Sequence, residues 1–121
     1  MSGSIKSYTD LIAWQKAYAM GKSVYAIAAT LPEGERFGLM ASLRRLSYSI
    51  SSHIAQGYGR GSTSEYIWSL KQARGEVYML DTQLRFALDF KYLDDATYQR
   101  VKEQLDETER VLAGLIRSLG G

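Results

Sequence analysis

The run Arg44–Arg60, RRLSYSISSHIAQGYGR, contains many of the side chains in this sequence that could do chemistry. Two adjacent arginines open the run, a third closes it, and His53 is the single histidine of the chain. Arginine binds phosphate or carboxylate through a planar fork of donors, and histidine can bind a metal or transfer a proton. The possible chemistry is therefore anion recognition at the arginines and a metal or general-base role at His53.

The segment from Gly57 to Ser64 is rich in glycine and serine and precedes a predicted helix. Amides and hydroxyls at the start of a helix can bind a phosphate, but the G-x-x-x-x-G-K-[ST] spacing of a P-loop is missing. Gly57 suits the left-handed position that ends a helix, and Ser62 and Glu65 have capping-box spacing. We therefore favour a structural turn, containing Gly57 and Gly59, over an anion site.

His53 falls on or beside the apolar row of its helix, which includes Ile50. A metal or general-base role lacks partners, because the chain has no cysteine, no second histidine and no evident carboxylate cluster near it. We expect a buried or interface imidazole with a hydrogen-bond partner. Recognisable enzyme motifs are missing as well, so we predict no catalytic residue, no metal, no cofactor and no enzyme activity.

Basic residues outside the apolar rows could together contact an anion or nucleic acid: Arg44, Arg45, Arg60, Lys71 and Arg74. Tyr48 and Tyr58 would add rings on which bases stack. The alternative is that the arginines hold helices or subunits by pairing with acids such as Glu76, Asp81 and Glu103. The nearby acids favour that structural pairing. Replacing Arg44 and Arg45 together is then expected to disturb fold or assembly more than ligand binding.

Four segments with helical spacing of apolar residues must position these side chains. Helix one runs from Thr9 or Asp10 to about Thr30, helix two from Pro32 to about Gln56, helix three from Ser62 to near Phe90, and helix four from Asp94 or Asp95. The short loops predict an all-α, antiparallel up-down-up-down four-helix bundle. Residues 1–121 form one domain in this prediction, with residues 1–8 disordered.

The core of the predicted bundle is read from the apolar row of each helix. Helix one contributes Leu11, Trp14, Ala17, Tyr18, Val24, Ile27 and Leu31. Helix three contributes Tyr66, Leu70, Ala73, Val77, Leu80, Leu84 and Ala87, which follow a heptad pattern. Helix four repeats this pattern in Tyr98, Val101, Leu105, Thr108, Leu112, Leu115 and Leu119.

Composition limits the possible classes of protein. The net charge of +2 permits nucleic-acid binding without indicating it. The absence of cysteine excludes a disulfide framework. No apolar run approaches the roughly 18 residues of a membrane span, and no secretory signal is visible, so we expect a cytoplasmic protein that does not enter a membrane.

Helix three carries a second apolar row about 160° from the first. Trp68, Gly75, Met79 and Phe86 lie on it, at positions where an isolated bundle would present polar residues to water. Single exposed apolar residues are normal on a protein surface, but four in one row are less so. We therefore predict that this row packs against another chain, preferably a second copy of the same protein.

The order of these motifs resembles a bacterial four-helix-bundle family that was first noted in intervening sequences of large-subunit ribosomal RNA genes. The family pattern is roughly RRA-x-x-SI-x-x-NIAEG-x-GR, and the matching residues are Arg44, Arg45, Ser49, Ile50, Ile54, Ala55, Gly57, Gly59 and Arg60. Residues 10–17 and 37–39 match as well. His53, Gln56 and Glu76 stand where the family usually has Asn, Glu and Ser.

The resemblance implies a ring-like homo-oligomer, a pentamer, whose cellular role is undefined. Some relatives are accessory proteins of diversity-generating retroelements, which assist a reverse transcriptase and contact nucleic acid. We accordingly hypothesise a non-catalytic oligomeric scaffold or interaction protein. The alternative is an RNA- or DNA-binding adaptor that acts through a basic surface of the ring and works beside a nucleic-acid enzyme.

Overall fold

Four α-helices make up the protein in a computed structural model that describes residues 4–121. They are α1 (Ile12–Ala28), α2 (Leu39–Tyr58), α3 (Thr63–Asp89) and α4 (Asp95–Ser118), and short 3-10 turns precede α1 and α2 at Tyr8–Asp10 and Glu33–Glu35. No strand occurs within residues 4–121. Each helix packs on its neighbours in the order α1, α2, α3, α4 and back to α1, without diagonal contacts. The predicted all-α four-helix bundle is confirmed.

One core draws on all four helices. The predicted rows of α3 and α4 are buried almost throughout, including Thr108, whose hydroxyl donates to the Gln104 carbonyl at 2.8 Å. Near the end of α4, Ile116 is buried in place of Leu115, which is only half-buried. The heptad spacing therefore located the core of this half of the bundle correctly.

The core face of α1 differs from the predicted row. Tyr18 is exposed and Trp14 half-buried, whereas small residues and one methionine fill the core: Ala13, Ala17, Met20, Gly21, Val24 and Ala28. Gly21 shows why small residues are needed, because a Cβ there would overlap the Ser47 carbonyl oxygen of α2. The aromatic residues of α1 are consequently displaced to its edge.

Side chains cap the helices largely where the sequence predicts. The Ser62 hydroxyl accepts from the Glu65 amide at 3.2 Å and donates to the Glu65 carboxylate at 2.9 Å. Asp94 accepts from the Thr97 amide at 2.8 Å, and this bond lowers the pKa of Asp94 together with the one to the Thr97 side chain. Both predicted helix starts are confirmed.

The N-terminal segment forms a short turn before α1 within the described residues, and disorder of residues 1–8 stays a prediction. Residues 1–3 lie outside the described residues, but Ser7 caps the Tyr8–Asp10 turn and the Asp10 side chain accepts from the Ser7 amide at 3.2 Å. Leu11 then has extended backbone angles, so α1 begins at Ile12 rather than at Thr9 or Asp10. The turn places Tyr8 beside Trp14, with ring centroids 5.4 Å apart.

Gly57 does not occupy the left-handed position that ends a helix, as the sequence suggested. It lies buried inside α2, and a Cβ there would sit 2.6 Å from the Ser69 Cβ of α3. Gly57 is therefore needed for close approach of two helices. Gly59 ends α2 with ordinary right-handed angles, and Gly61 has the positive φ of 91°.

Candidate nucleic-acid interface

The helices α1 and α2 contain no aspartate or glutamate over residues 12–28 and 39–58. Their charged residues are all basic: Lys16, Lys22, Arg44 and Arg45. The helices α3 and α4 carry both signs of charge along their whole length. Lys16 pairs with Glu107 of α4 at 3.5 Å, so the cationic surface on this side of the bundle consists of Lys22, Arg44 and Arg45. The modest net charge of the whole chain conceals this surface.

A groove of about 370 Å³ runs between α1 and α2 on this surface. Its volume lies in the range of roughly 300–1,000 Å³ typical of small-molecule sites. Aromatic rings dominate its lining: Tyr8, Trp14, Tyr18, Tyr25 and Tyr48. Trp14 and Tyr18 stack on each other with centroids 4.7 Å apart and planes inclined by 18°. They form a continuous aromatic wall one helical turn long.

The floor of the groove is made where α1 and α2 approach closely. Gly21 and Ser47 meet there, and Ser51 and Ser52 continue the floor along α2. The Ser47 hydroxyl donates to the Arg44 carbonyl at 2.6 Å, and the Ser52 hydroxyl to the Tyr48 carbonyl at 2.7 Å. Because these hydroxyl protons are already used, the floor offers few donors to a ligand.

Two cations lie over aromatic rings that line the groove. The Lys22 Nζ is 5.0 Å from the Tyr18 ring centroid, and the Arg44 guanidinium carbon is 5.5 Å from the Tyr25 ring centroid. Neither cation has an ion pair within residues 4–121, so their positive charges are not neutralised by carboxylates. The Arg44 Nε is also buried without a hydrogen-bond acceptor. The groove thus combines flat rings with unneutralised positive charge.

The basic residues singled out in the sequence do not lie together. Arg44 contacts Tyr25 of α1, whereas Arg74 is four residues before Tyr78, whose hydroxyl donates to Glu109 of α4 at 3.1 Å. Since α1 and α3 make no contact, these two arginines belong to different sides of the bundle. Arg45 is exposed on α2, and Lys71 is exposed on α3. The five residues therefore do not form one continuous surface within a single chain.

Within residues 4–121 of one chain, neither Arg44 nor Arg45 forms an ion pair with an acid. Asp81 accepts instead from Lys102 at 3.3 Å and from Tyr98 at 2.7 Å, and Glu76 accepts from Ser49 at 2.7 Å. Two of the three acids named in the sequence as partners, Glu76 and Asp81, thus interact with other side chains. Arg44 rests on a tyrosine ring rather than on a carboxylate.

The turn after α2 has internal partners for its charges. The Arg60 Nη1 lies 3.7 Å from the Glu65 carboxylate, which occupies the first turn of α3. A carboxylate at this position already interacts with the positive end of the helix dipole. The turn is therefore held by contacts within the chain, and Tyr58 packs edge-on against Tyr66, with ring centroids 6.2 Å apart.

His53 is half-buried between α2 and α3, with its Nδ1 3.9 Å from the Glu76 carboxylate. That distance is too long for a hydrogen bond. Ile50, one turn earlier, belongs to the core. Within residues 4–121 no group of three or more His, Cys, Asp or Glu side chains could hold a metal ion.

The second row of α3 is exposed in the isolated chain. Trp68, Met79 and Phe86 have 57%, 46% and 52% of their surface accessible. Gly75 lies between them, and a Cβ placed there would meet nothing within 4 Å. The chain's own packing therefore does not require glycine at this position, unlike Gly21 or Gly57.

A polar network joins α3 to α4 on the side away from the groove. Burial opposes ionisation of Asp81, but hydrogen bonds from Tyr98 and Lys102 and the charges of Lys102 and Arg85 lower its pKa overall. Burial and the bond to Asp81 raise the pKa of Tyr98. The bond to Asp106 raises that of Lys102. The members of this network satisfy one another, so it holds two helices together.

Sequence reasoning missed most of the groove. Tyr48 was recognised as a possible stacking residue, but Trp14 and Tyr18 were assigned to the core, and Tyr8, Lys22 and Tyr25 were not singled out. Two signals were available: the absence of acids from two consecutive helices, and the spacing of Trp14, Tyr18 and Tyr25 on one face of α1.

The described residues form a four-helix bundle, and no helix within residues 4–121 is long and apolar enough to cross a membrane. The sequence pattern of the 23S rRNA-intervening sequence protein family matches residues 9–114. Because this match covers most of the chain, the protein belongs to that family, and the resemblance drawn from the sequence is confirmed. Among curated proteins, no sequence matches the chain.

Proposed function

We propose that this protein is a non-catalytic scaffold that self-associates through the outer row of α3, formed by Trp68, Gly75, Met79 and Phe86. The observation that carries the proposal is the exposure of three large apolar side chains on one helix face. Phe90 extends this face, with its ring centroid 5.7 Å from that of Phe86. Several large apolar side chains exposed along one helix face are more than the single exposed residues that are normal on a protein surface, which favours an interaction site.

Gly75 supports the proposal independently. Glycine inside a helix costs about 0.5–1 kcal/mol relative to alanine. The space around Gly75 within its own chain is empty, so intramolecular packing does not offset that cost. Close approach of a second chain would offset it. In this proposal the assembly is a ring of five copies, which is what the resemblance to the family implies.

The test is the mass of the protein by size-exclusion chromatography with light scattering at micromolar concentration. We expect an oligomer for the wild type and a smaller species for Trp68→Glu and Met79→Glu, because each would bury a carboxylate at the interface. Phe37→Glu is the matched control, since Phe37 is a fully exposed aromatic residue outside α3. A monomeric wild type, or equal dissociation of the Phe37 variant, would refute the proposal.

A second candidate function is nucleic-acid binding, which the acid-free sequences of α1 and α2 favour. Phosphate contacts by lysine and arginine release counterions, so binding of this kind weakens as salt rises. Retention of labelled RNA or DNA on the protein should therefore fall steeply between about 50 mM and 200 mM salt. No retention at low salt would exclude this candidate while leaving the scaffold proposal intact.

A further inference from the structure

We propose that the groove between α1 and α2 binds single-stranded nucleic acid, with unpaired bases stacked on its tyrosine and tryptophan rings. This inference rests on the second candidate function and assigns it a site and a strand form. The groove is the one place described above where several accessible aromatic rings and unneutralised cations occur together.

The aromatic lining carries the first part of the argument. Bases stack on aromatic side chains with little regard to sequence, because every base has a flat face. Tyr48 is 59% exposed, and Tyr18 and Tyr25 are also exposed at the rim of the groove. Trp14 and Tyr18 already stack on each other and Lys22 lies over the Tyr18 ring, so they form an ordered side of the groove while Tyr48 presents the accessible ring. Bases in a duplex are stacked on each other, so these rings favour an unpaired strand.

The positive charge at the rim of the groove is the second part of the argument. A strand whose bases enter the groove leaves its phosphates near the rim, where Lys22 and Arg44 hold unneutralised positive charge. Arg45 adds a third cation on the exposed face of α2. No carboxylate of α1 or α2 opposes an approaching phosphate, because neither helix contains one. The surface is therefore complementary to a polyanion.

The polar groups on the floor of the groove predict that binding depends little on the base sequence of the nucleic acid. Base-specific recognition needs donors and acceptors aimed at base edges, but the Ser47 and Ser52 hydroxyl protons are bonded to backbone carbonyls. Stacking and phosphate contacts remain as the sources of affinity. Mixed-sequence strands should consequently bind with similar affinities.

The competing occupant is the outer row of α3 from a second copy, which is also apolar. That row consists of Trp68, Gly75, Met79 and Phe86 and carries no carboxylate to complement Lys22 and Arg44. A nucleic-acid strand satisfies both the rings and the cations. We therefore assign the groove to nucleic acid and treat the second copy as an outcome of the test.

The experiment is a fluorescence-anisotropy titration of the full chain with a labelled single-stranded RNA of about 15 nucleotides, the same sequence as DNA, and the corresponding duplexes. Tyr48→Ala removes an exposed ring from the groove. Tyr78→Ala is the matched control, because Tyr78 is 55% exposed on α3 away from the groove. Circular dichroism and light scattering on each variant report folding and mass.

We expect both single strands to bind more tightly than the duplexes, and Tyr48→Ala to weaken single-strand binding at least about five-fold, as loss of one stacking platform would. Tyr78→Ala should change it less than about two-fold. Lys22→Gln should make the negative slope of log affinity against log salt shallower by about 0.7, the value for one phosphate contact on a single strand, whereas Lys71→Gln should not.

Other outcomes overturn the inference in distinguishable ways. Salt-dependent binding that is insensitive to Tyr48→Ala, or equal affinity for duplexes, would retain nucleic-acid binding and reject the groove as its site. No binding of any strand at low salt would reject both. A loss of oligomer mass in Tyr48→Ala would show that a second copy occupies the groove.

Discussion

Helices α1 and α2 pack through small residues, whereas α3 and α4 are joined by charged and phenolic side chains. Gly21 brings α1 against the Ser47 carbonyl of α2, and no side-chain hydrogen bond or ion pair joins these two helices within residues 4–121. Asp81 of α3, in contrast, accepts from both Tyr98 and Lys102 of α4.

This difference in packing between the two halves of the bundle determines which charged groups remain free for binding. In the α3–α4 half, carboxylates lie among the cations, and Asp81 pairs with both Arg85 and Lys102. In the α1–α2 half, close backbone packing needs no polar side chains, so Lys22, Arg44 and the tyrosines around them keep no acidic partner. In one small bundle, polar side chains on one side can thus bind each other, while charged side chains on the other side have no partner of opposite charge.

The largest expected effect comes from breaking the close packing of α1 on α2. Gly21→Ala places a methyl group into the Ser47 carbonyl oxygen, and the helices must separate. Overpacking costs about 1–3 kcal/mol, and a clash with backbone should reach the upper part of that range. The free energy of unfolding, measured by urea titration with circular dichroism at fixed protein concentration, should fall by about 2–3 kcal/mol.

Gly114→Ala in α4 is the matched control in the other half. A Cβ at Gly114 would meet only the flexible Arg117 side chain, at 3.8 Å. Alanine is the better helix former, so this change should raise the unfolding free energy by up to about 1 kcal/mol. If Gly21→Ala and Gly114→Ala changed the unfolding free energy in the same direction, small-residue packing would not distinguish the two halves.

A smaller effect is expected from the α3–α4 network. Tyr98→Phe removes the 2.7 Å bond to the Asp81 carboxylate without changing the ring, and should cost about 1–2 kcal/mol at neutral pH. The wild-type network is also pH-dependent. Because the pKa of Asp81 in the fold lies below its ordinary value of 3.8, its stabilising contribution is complete above that value and is lost as the pH falls through the folded pKa.

Asp81→Asn tests that pH dependence. The variant should be less stable than the wild type at neutral pH, and the difference should narrow as the pH falls below about 4. Urea unfolding at a series of pH values measures it. A difference that stays constant down to pH 2 would mean that the Asp81 charge contributes nothing to stability.

The same contrast explains what could be predicted from sequence. The heptad rows of α3 and α4 identify their cores, since large apolar residues there point inward. In α1 the rule fails: Ala17 and Gly21 are the core residues because two backbones approach closely, and Tyr18 lies at the edge. Hydrophobic spacing ranks tyrosine above glycine, so it cannot detect helix contacts that depend on the absence of a side chain.

The candidate site was harder to predict than the fold. Arg44 was recognised, but its predicted acidic partners lie on α3 and α4, and sequence spacing gives no information about which helices touch. Gly57 was assigned to a helix end because glycine often occurs there, whereas its role is contact with Ser69. Both errors concern contacts between helices, which a single sequence does not report.

The smallest expected effect on stability separates the two adjacent arginines. Arg44→Ala should lower the unfolding free energy by about 0.5–1 kcal/mol, because it removes a guanidinium from the Tyr25 ring. Arg45→Ala should change the unfolding free energy by less than about 0.5 kcal/mol, since Arg45 is exposed and has no ion pair within residues 4–121.

Arg45 nevertheless lies on the cationic side of the bundle. Its removal should weaken binding of single-stranded RNA and reduce its salt dependence, measured by the same anisotropy titration. Equal losses of stability in both variants, with RNA binding unchanged, would return the pair to the structural role that the sequence suggested.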